Sequence, residues 1–440
     1  MLAVVVSTPD RASAHIGEQL LALAEWTDHT DDSRPPERGG GTYYTREGME
    51  LRVFEKRHLD LENATEPFAD PDLLVFASKH AGDTGKLLTV HPTGNFGPAD
   101  YGGDPNALAR AAPNAQKRAL EALTEHAPEG YETGIECTHH GPTDIDVPSM
   151  FVELGSAEEQ WNDPAGAEAV ARAILDLDVE PDTDRALVGF GGGHYCPRFE
   201  RVVRETDWAV GHVAADWGLQ AMGDPRENRV VEAAFERTNT RFALVEGEYP
   251  ELREAIAALG YRAVSESWVR ETSGVPLSTV EAVEAELGEL ANGVALGERA
   301  EGFDGGFAVV SLPEKLLAEA VGIDRDAARA AVAERAVAFE TEQAGSVPAG
   351  RAALPDADTR ERVIDALLPI LEEKYEAVTR EDGQVTAHER AFDPEKARTL
   401  GIEEGPAFGK LAAGQAVEVG GRHIDPDAVR TERERVFPLN

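Results

Sequence analysis

One pattern repeats along this chain. A short apolar run ends in a polar loop, and an amphipathic stretch of helical period follows. The runs lie at Leu2–Ser7, Leu73–Ala77, Leu87–Val90, Met150–Leu154, Ala186–Phe190 and Phe242–Val245. Several are apolar on both faces, so a sheet built from them must be covered on both sides. Helical periodicity places Ile16, Leu20 and Leu23 on one face. Further helices are expected over 114–125, from Asp163-Pro164 to Leu175, from Asp224-Pro225 onward, and over 250–259, closed by Gly260. Strands alternating with helices predict an α/β fold: three layers, α/β/α, around a mostly parallel sheet. Residues 27–42 read as a polar loop and Arg262 to Arg270 as a last strand. Ser156-Ala-Glu-Glu159 has the capping-box form that opens a helix. A boundary is expected near Gly274, giving units 1–274 and 275–440. The second should be helical over 275–380, with a linker at 346–358, and should end in a small β unit at 398–436.

Four of the expected strands end in loops that carry histidine: His80, His91, the pair His139 and His140, and His194. Ligands of open parallel sheets bind beyond the carboxyl ends of the strands. If these strands run parallel, five of the chain's 12 histidines meet at one rim, with Glu136, Asp144, Asp146 and Glu153 nearby. A lone histidine at a strand end is usually a surface or internally satisfied residue; four such loops together are the signal. Gly191-Gly-Gly193 is either a tight turn or a place where the amides of Gly192 and Gly193 hold an anion. Cys137 and Cys196 each lie two residues from a histidine, which suits zinc as well as it suits two small core residues.

Composition limits the setting. The chain has 440 residues, 82 acidic against 42 basic side chains, and a net charge of −40, with only eight lysines among the basic residues. Acidic excess with arginine over lysine looks like the composition of a cytosolic protein from a salt-accumulating halophile; the bland alternative is an ordinary acidic protein. Two cysteines exclude a disulfide framework. No run approaches the roughly 18 apolar residues of a membrane span. The apolar N-terminus lacks a basic leader and reads as a strand, so a cytoplasmic location and no membrane partner are expected.

Ser78-Lys-His80, His91-Pro-Thr-Gly-Asn95, Thr138-His-His-Gly-Pro142, Phe151-Val-Glu-Leu-Gly-Ser156, Trp161 and Gly191-Gly-Gly-His-Tyr-Cys-Pro197 stand in one order along residues 1–270. As a set they resemble the archaeal and plant type of D-aminoacyl-tRNA deacylase. The resemblance implies a fold like that of peptidyl-tRNA hydrolases and nucleoside phosphorylases. It also implies zinc dependence and hydrolysis of the ester between a D-amino acid and the terminal adenosine of tRNA. On that reading His139, His140 and His194 are candidate zinc ligands. His80 or Glu153 is the candidate base. Lys79 or the amides of Gly192 and Gly193 would hold the oxyanion or the terminal phosphate. His91, Asn95, Lys86 and Arg198 are candidate substrate contacts; Lys56, Lys117, Arg201 and Arg204 are further candidates for phosphate. The expected partner is aminoacylated tRNA, not DNA, and the expected state is a monomer. An acidic chain can bind RNA in molar salt, where the Debye length falls to about 3 Å. Residues 401–414 resemble a segment near the end of tRNase Z-type nucleases, without their metal motif, and read as an accessory β element touching RNA.

Three other readings fit the residues alone: a metal-dependent amidase or peptidase acting on small D-amino acid derivatives, a phosphorylase-like enzyme, and a non-catalytic tRNA-binding protein.

Overall fold

The computed structural model describes residues 1–179 and 184–439. The chain divides into two compact units, Met1–Ser273 and Gly274–Asn440. Among the described residues the first holds twelve strands: β1 (Leu2–Ser7), β2 (Thr27–Asp31), β3 (Gly41–Arg46), β4 (Met49–Phe54), β5 (Leu73–Lys79), β6 (Leu87–Pro92), β7 (Glu132–Ile135), β8 (Ser149–Gly155), β9 (Ala186–Phe190), β10 (Ala209–Ala214), β11 (Phe242–Val245) and β12 (Arg262–Val264). Its helices are α1 (Arg11–Leu23), α2 (Pro113–His126), α3 (Glu158–Trp161), α4 (Pro164–Leu175), α5 (Pro197–Glu205), α6 (Asp216–Met222), α7 (Val230–Thr238), α8 (Pro250–Ala258) and α9 (Glu266–Glu271).

Two sheets are formed, not one. The larger has the order β2-β3-β4-β1-β5-β8-β6-β7. Its centre, β4-β1-β5-β8, is parallel. One edge is an antiparallel hairpin; at the other, β6 runs antiparallel to β8 and β7 runs parallel to β6. The smaller sheet, β10-β9-β11-β12, is parallel throughout. The large sheet is thus mostly parallel, but the strand bearing His91 runs the other way and the strand before His194 belongs to the second sheet.

Helices α1, α2 and α4 pack on one another and against β5, β6 and β8. Asp10 caps α1 by accepting from the Ser13 amide at 3.0 Å, and Ile16 and Leu20 are fully buried. The other face carries Ala3, Val5, Leu74, Phe76 and Phe151, closed over by Leu61, Phe68 and Ile145 from loops. The rings of Phe76 and Phe151 stack at 4.8 Å on neighbouring strands. Burying one such side chain is worth about 1.5–3 kcal/mol.

Several sequence expectations give way here. The polar loop at 27–42 contains β2 and the start of β3; β2 is an edge strand without buried positions, so it carries no apolar alternation. The strand expected over 262–270 stops at Val264, because the Ser265 hydroxyl caps α9 by accepting from the Trp268 amide at 3.1 Å. Asp224-Pro225 forms a turn, and the helix starts only at Val230, after an unanticipated α6. Ser156 does not cap α3. Its hydroxyl pairs with Thr84, and the Gln160 side chain accepts from the Ala157 amide instead.

In the second unit the expected linker at 346–358 is the strand Val347–Leu354, central in a four-stranded sheet. A three-stranded sheet joins Ala377–Glu381, Gln384–Phe392 and Arg430–Pro438. Leu316, Leu317, Val332, Ile364 and Leu367 from three helices close one core with these strands. Within 401–414, the expected β element is the helix Pro406–Ala412, and Leu411 packs with Ile402, Val417 and Ile424. Among the described residues no helix is long and apolar enough to cross a membrane.

His212 on β10 is fully buried; its Nε2–H donates to the Ala109 carbonyl at 2.9 Å and its Nδ1 accepts from the Thr138 hydroxyl at 3.1 Å. Burial pushes its pKa from 6.5 to about 4. Between those values the unfolded chain binds a proton that the folded chain does not, so stability present above pH 6.5 is lost as pH falls toward 4. Chemical denaturation at pH 7 and pH 5 should show His212 removing about 2 kcal/mol over that interval. His212→Gln should lower stability at both pH values while flattening the slope between them; an unchanged slope would remove His212 as its source.

Candidate active site

The register of β5, β8 and β6 sets two adjacent rows on one face of the large sheet. Phe76, Phe151 and His91 form one row; Ser78, Glu153 and Thr89 form the next. His80 follows β5, with its amide donating to the Leu154 carbonyl at 3.0 Å. The loop after β7 then crosses to the second sheet. The Cys137 amide donates to the His194 carbonyl and the Thr138 amide to the Val213 carbonyl, both at 2.8 Å. His80, His91, His139, His140 and His194 therefore do come together. They meet over a sheet face beside the second sheet, not along one parallel rim.

Glu136 is the hub. It is completely buried, and its Oε2 accepts from His194 Nε2 at 2.7 Å. His80 Nδ1 lies 3.0 Å from Oε1, off the axis of a straight hydrogen bond, and His139 Nε2 lies 3.8 Å from Oε2. Burial alone would raise the carboxyl pKa; the His194 and His80 contacts outweigh it and hold Glu136 well below the ordinary carboxylate range. Glu153 goes the other way. It is also buried, its nearest imidazoles stand 3.7 and 3.8 Å away, and burial followed by the Glu136 charge pushes its pKa up to about 8. Two close carboxylates in one site thus take opposite protonation states at neutral pH. Burial pulls the His194 pKa down, but Cys137 and Glu136 raise it to about 10. His80 is likewise raised by Glu136 and Glu153 against the pull of burial. The Cys137 thiol, beside Cys196, His139 and His194, falls to about 3.

A second cluster adjoins the hub. The rings of His91, His139 and His140 lie 4.2–4.7 Å apart. His91 Nδ1–H donates to the Pro92 carbonyl at 3.0 Å, which leaves Nε2 buried and without a partner. His140 Nδ1 and Glu153 Oε1 are also buried and unpartnered. Orphaned buried polar atoms are rare and call for an unrepresented water or ion. Among the described residues, donor atoms gather within 4.8 Å in three sets: His91, His139 and His140; Cys137, His139 and His194; and His80, Glu136 and Glu153. Imidazole and thiolate are the donors zinc prefers, so the residues fit a metal. The expected trio of His139, His140 and His194 is divided between two of these sets, which share His139.

A cavity of about 480 Å³ opens on these groups, lined by Asp10, His58, Ser78, Lys79, His80, Tyr101, His139, His140, Glu153 and His194 among others. A larger cavity of about 670 Å³ lies near the start of β5 and β8, but no histidine, cysteine or buried carboxylate lines it. The histidine cluster lines the smaller one. Glycine shapes its walls. A Cβ on Gly155 would stand 2.6 Å from the Cβ of His80, and one on Gly141 would stand 2.6 Å from the Phe151 ring.

Other expected site residues are engaged elsewhere. Asn95 donates to the carbonyls of Gly102 and Asp104 at 2.9 and 3.3 Å, latching the loop that carries Tyr101. The Gly192 amide donates to Asp216 at 2.8 Å, so it is not free for an oxyanion; Gly193 is exposed to solvent. Arg198 and Arg201 both bind Glu266, Arg204 binds Glu200, and Lys117 donates to the carbonyls of Val203 and Thr206. Lys86 lies over the Tyr131 ring, 5.4 Å from its centroid. Lys79 is at the cavity, 5.0 Å from the centroid of Trp161, whose indole N–H donates to the His80 carbonyl. Sequence reasoning gave no role to Glu136, His58 or Tyr195. Tyr195 does follow a nominated histidine, and its hydroxyl lies 3.2 Å from His80 Nε2.

An α/β frame holding a buried carboxylate–imidazole cluster beside a cavity defines a hydrolase-type site. A family model described as D-aminoacyl-tRNA deacylase matches residues 67–263. A protein of that name from Natronomonas pharaonis is 53% identical over 99% of this chain and 100% of its own length. Its namesake from Haloarcula marismortui is 50% identical over the whole of both chains, and one from Methanoregula boonei is 34% identical over 83% of this chain and 84% of its own. A solved structure described as a conserved protein of unknown function is 28% identical, with a TM-score of 0.56, and covers 62% of this chain and 98% of that one. The chain belongs to the D-aminoacyl-tRNA deacylase family.

The close approach at Gly141, together with its φ of +105°, makes a measurable demand. Gly141→Ala should destabilise the protein by at least about 1–3 kcal/mol. Thermal denaturation checks this; an unchanged midpoint would remove the packing argument for the histidine loop.

Proposed function

We propose that this chain hydrolyses the ester joining a D-amino acid to the 3′-terminal adenosine of tRNA, releasing the tRNA for reuse. Full-length similarity to relatives bearing that name supports the reading. So does a cavity whose floor joins a buried carboxylate to a ring of imidazoles. The three-layer arrangement similar to peptidyl-tRNA hydrolases and phosphorylases remains our reading of the frame. Residues 274–440 are read as an accessory unit.

Ester hydrolysis needs a base for the attacking water and a home for the negative charge that develops on the carbonyl oxygen. His80 is our base. Its Nδ1 faces the Glu136 carboxylate at 3.0 Å, and its Nε2 lies beside the Tyr195 hydroxyl. The water oxygen attacks the ester carbon while His80 Nε2 takes the water's proton. The carbon–oxygen bond then breaks, and the ribose oxygen receives that proton. The ionised Glu136 stabilises the imidazolium between the two steps. Glu153, neutral below a pKa of about 8, serves as a hydrogen-bond donor and not as the base. Lys79 offers positive charge for the oxyanion or the terminal phosphate. Zinc, where present, would be held by His91, His139 and His140 or by Cys137, His139 and His194, and would supply Lewis-acid polarisation of a carbonyl. Choice of hand would come from a cavity that accepts a D side chain and clashes with an L one.

The test is turnover of matched D- and L-tyrosyl-tRNA in molar salt, with and without a chelator. The D-ester should be cleaved and the L-ester spared. His80→Ala should lower the D rate about 10²–10⁴-fold. Gly155→Ala, which displaces His80 without touching its chemistry, should cost about 100-fold. Equal cleavage of both esters, or normal rates in both variants, would remove the proposal. Elemental analysis of wild type and of the His139→Ala variant tests the metal separately: His139 is common to both candidate sets, so bound zinc should fall with its loss.

A further inference from the structure

Among the described residues, three aromatic side chains are more than a third exposed: Tyr101 at 64%, Tyr195 at 37% and Trp217 at 45%. Tyr101 and Tyr195 touch the candidate active site, and Trp217 stands on a helix bonded to one of its loops. Tyr101 lines the cavity, and its carbonyl accepts from the Gly141 amide at 3.3 Å. Tyr195 packs its ring edgewise against His194, with centroids 4.9 Å apart. Trp217 follows Asp216, which opens α6 and is bonded both ways to Gly192, two residues before His194. Trp217 shares a face of α6 with Ala221. Ala221 in turn fits so closely against Gly97 that a Cβ there would stand 2.6 Å away, and Gly97 leads into the loop of Tyr101.

Single exposed aromatics are ordinary, but here one lines the cavity, one touches His80 at its wall, and one stands on the helix bonded to the glycine turn before His194, an arrangement that packing does not explain. The charge of the chain sharpens the point. With a net charge of −40, attraction to RNA phosphate is weak, and the salt this composition suits weakens it further. Stacking of a base on an aromatic ring needs no charge and tolerates any base. We propose that Tyr101, Tyr195 and Trp217 form a stacking platform for the unpaired nucleobases at the 3′ end of the RNA substrate. The platform holds the terminal ribose over His80 by contacts that salt does not screen. This inference deepens the deacylase reading and rests on it for the identity of the ligand.

The test is equilibrium binding, in molar salt, of an uncharged acceptor-stem minihelix with an intact CCA end and of one whose last two residues are abasic. Wild type should prefer the intact end by about tenfold or more. Trp217→Ala and Tyr101→Ala should each move that preference toward unity, and Tyr101→Phe should keep it. A wild type without preference, or a preference indifferent to both alanine variants, overturns the platform. The two readings fail differently. A base preference without release of any D-amino acid sinks the deacylase and leaves the platform. Release of D-amino acid without base preference does the reverse.

Discussion

Everything at this site follows from one carboxylate kept ionised out of reach of water. An unpaired charge in a protein interior costs several kcal/mol, and only well-placed partners offset it. Glu136 has such partners in His194 and His80, with His139 close by. Its charge then fixes the neighbours. It raises the pKa of His80 and His194, and it helps keep the nearby Glu153 neutral at pH 7. Division of labour between two acids of the same chemical type arises here from partners alone.

The arrangement depends on how the strands run. Because β6 turns back against β8, His91 and Glu153 come to the same face in neighbouring rows. Because the loop after β7 bonds to the second sheet at both Cys137 and Thr138, His194 is drawn to Glu136 from another sheet. His212 secures this junction from below, bonding Thr138 on one side and Ala109 on the other. The site is thus a joint between two sheets, and its precision comes from backbone bonds across that joint.

This explains what the sequence could reveal. The apolar runs at Leu73, Leu87, Ala186 and Phe242 became strands, because strands buried on both faces carry an unbroken apolar signal. The gathering of His80, His91, His139, His140 and His194 was legible too, since His80, His91 and His194 follow or end such runs and His139 and His140 lie in the loop before another. The reason offered for the gathering was not correct: strand direction is set by pairing partners that lie far apart in the chain. Exposed β2 had no periodicity to read, and the capped turn at Ser265 was hidden inside an apolar stretch. Glu136 could not be distinguished from other acidic residues, because what makes it special is burial and three imidazoles from three separate loops.

The same limit applied to the cations. Arginines near the glycine turn were natural candidates for phosphate contacts, yet Glu266 alone engages Arg198, Arg201 and Arg270. In so acidic a chain most guanidinium groups find a carboxylate before they find RNA. Lys79 differs: among the described residues it has no ion-pair partner, it stands at the cavity, and it faces the ring of Trp161. In our proposal the positive charge offered to an anionic substrate therefore sits at the cavity rather than along a basic groove. A −40 surface makes that placement reasonable, because a single cation at the cavity acts over a few ångströms, where salt screens least.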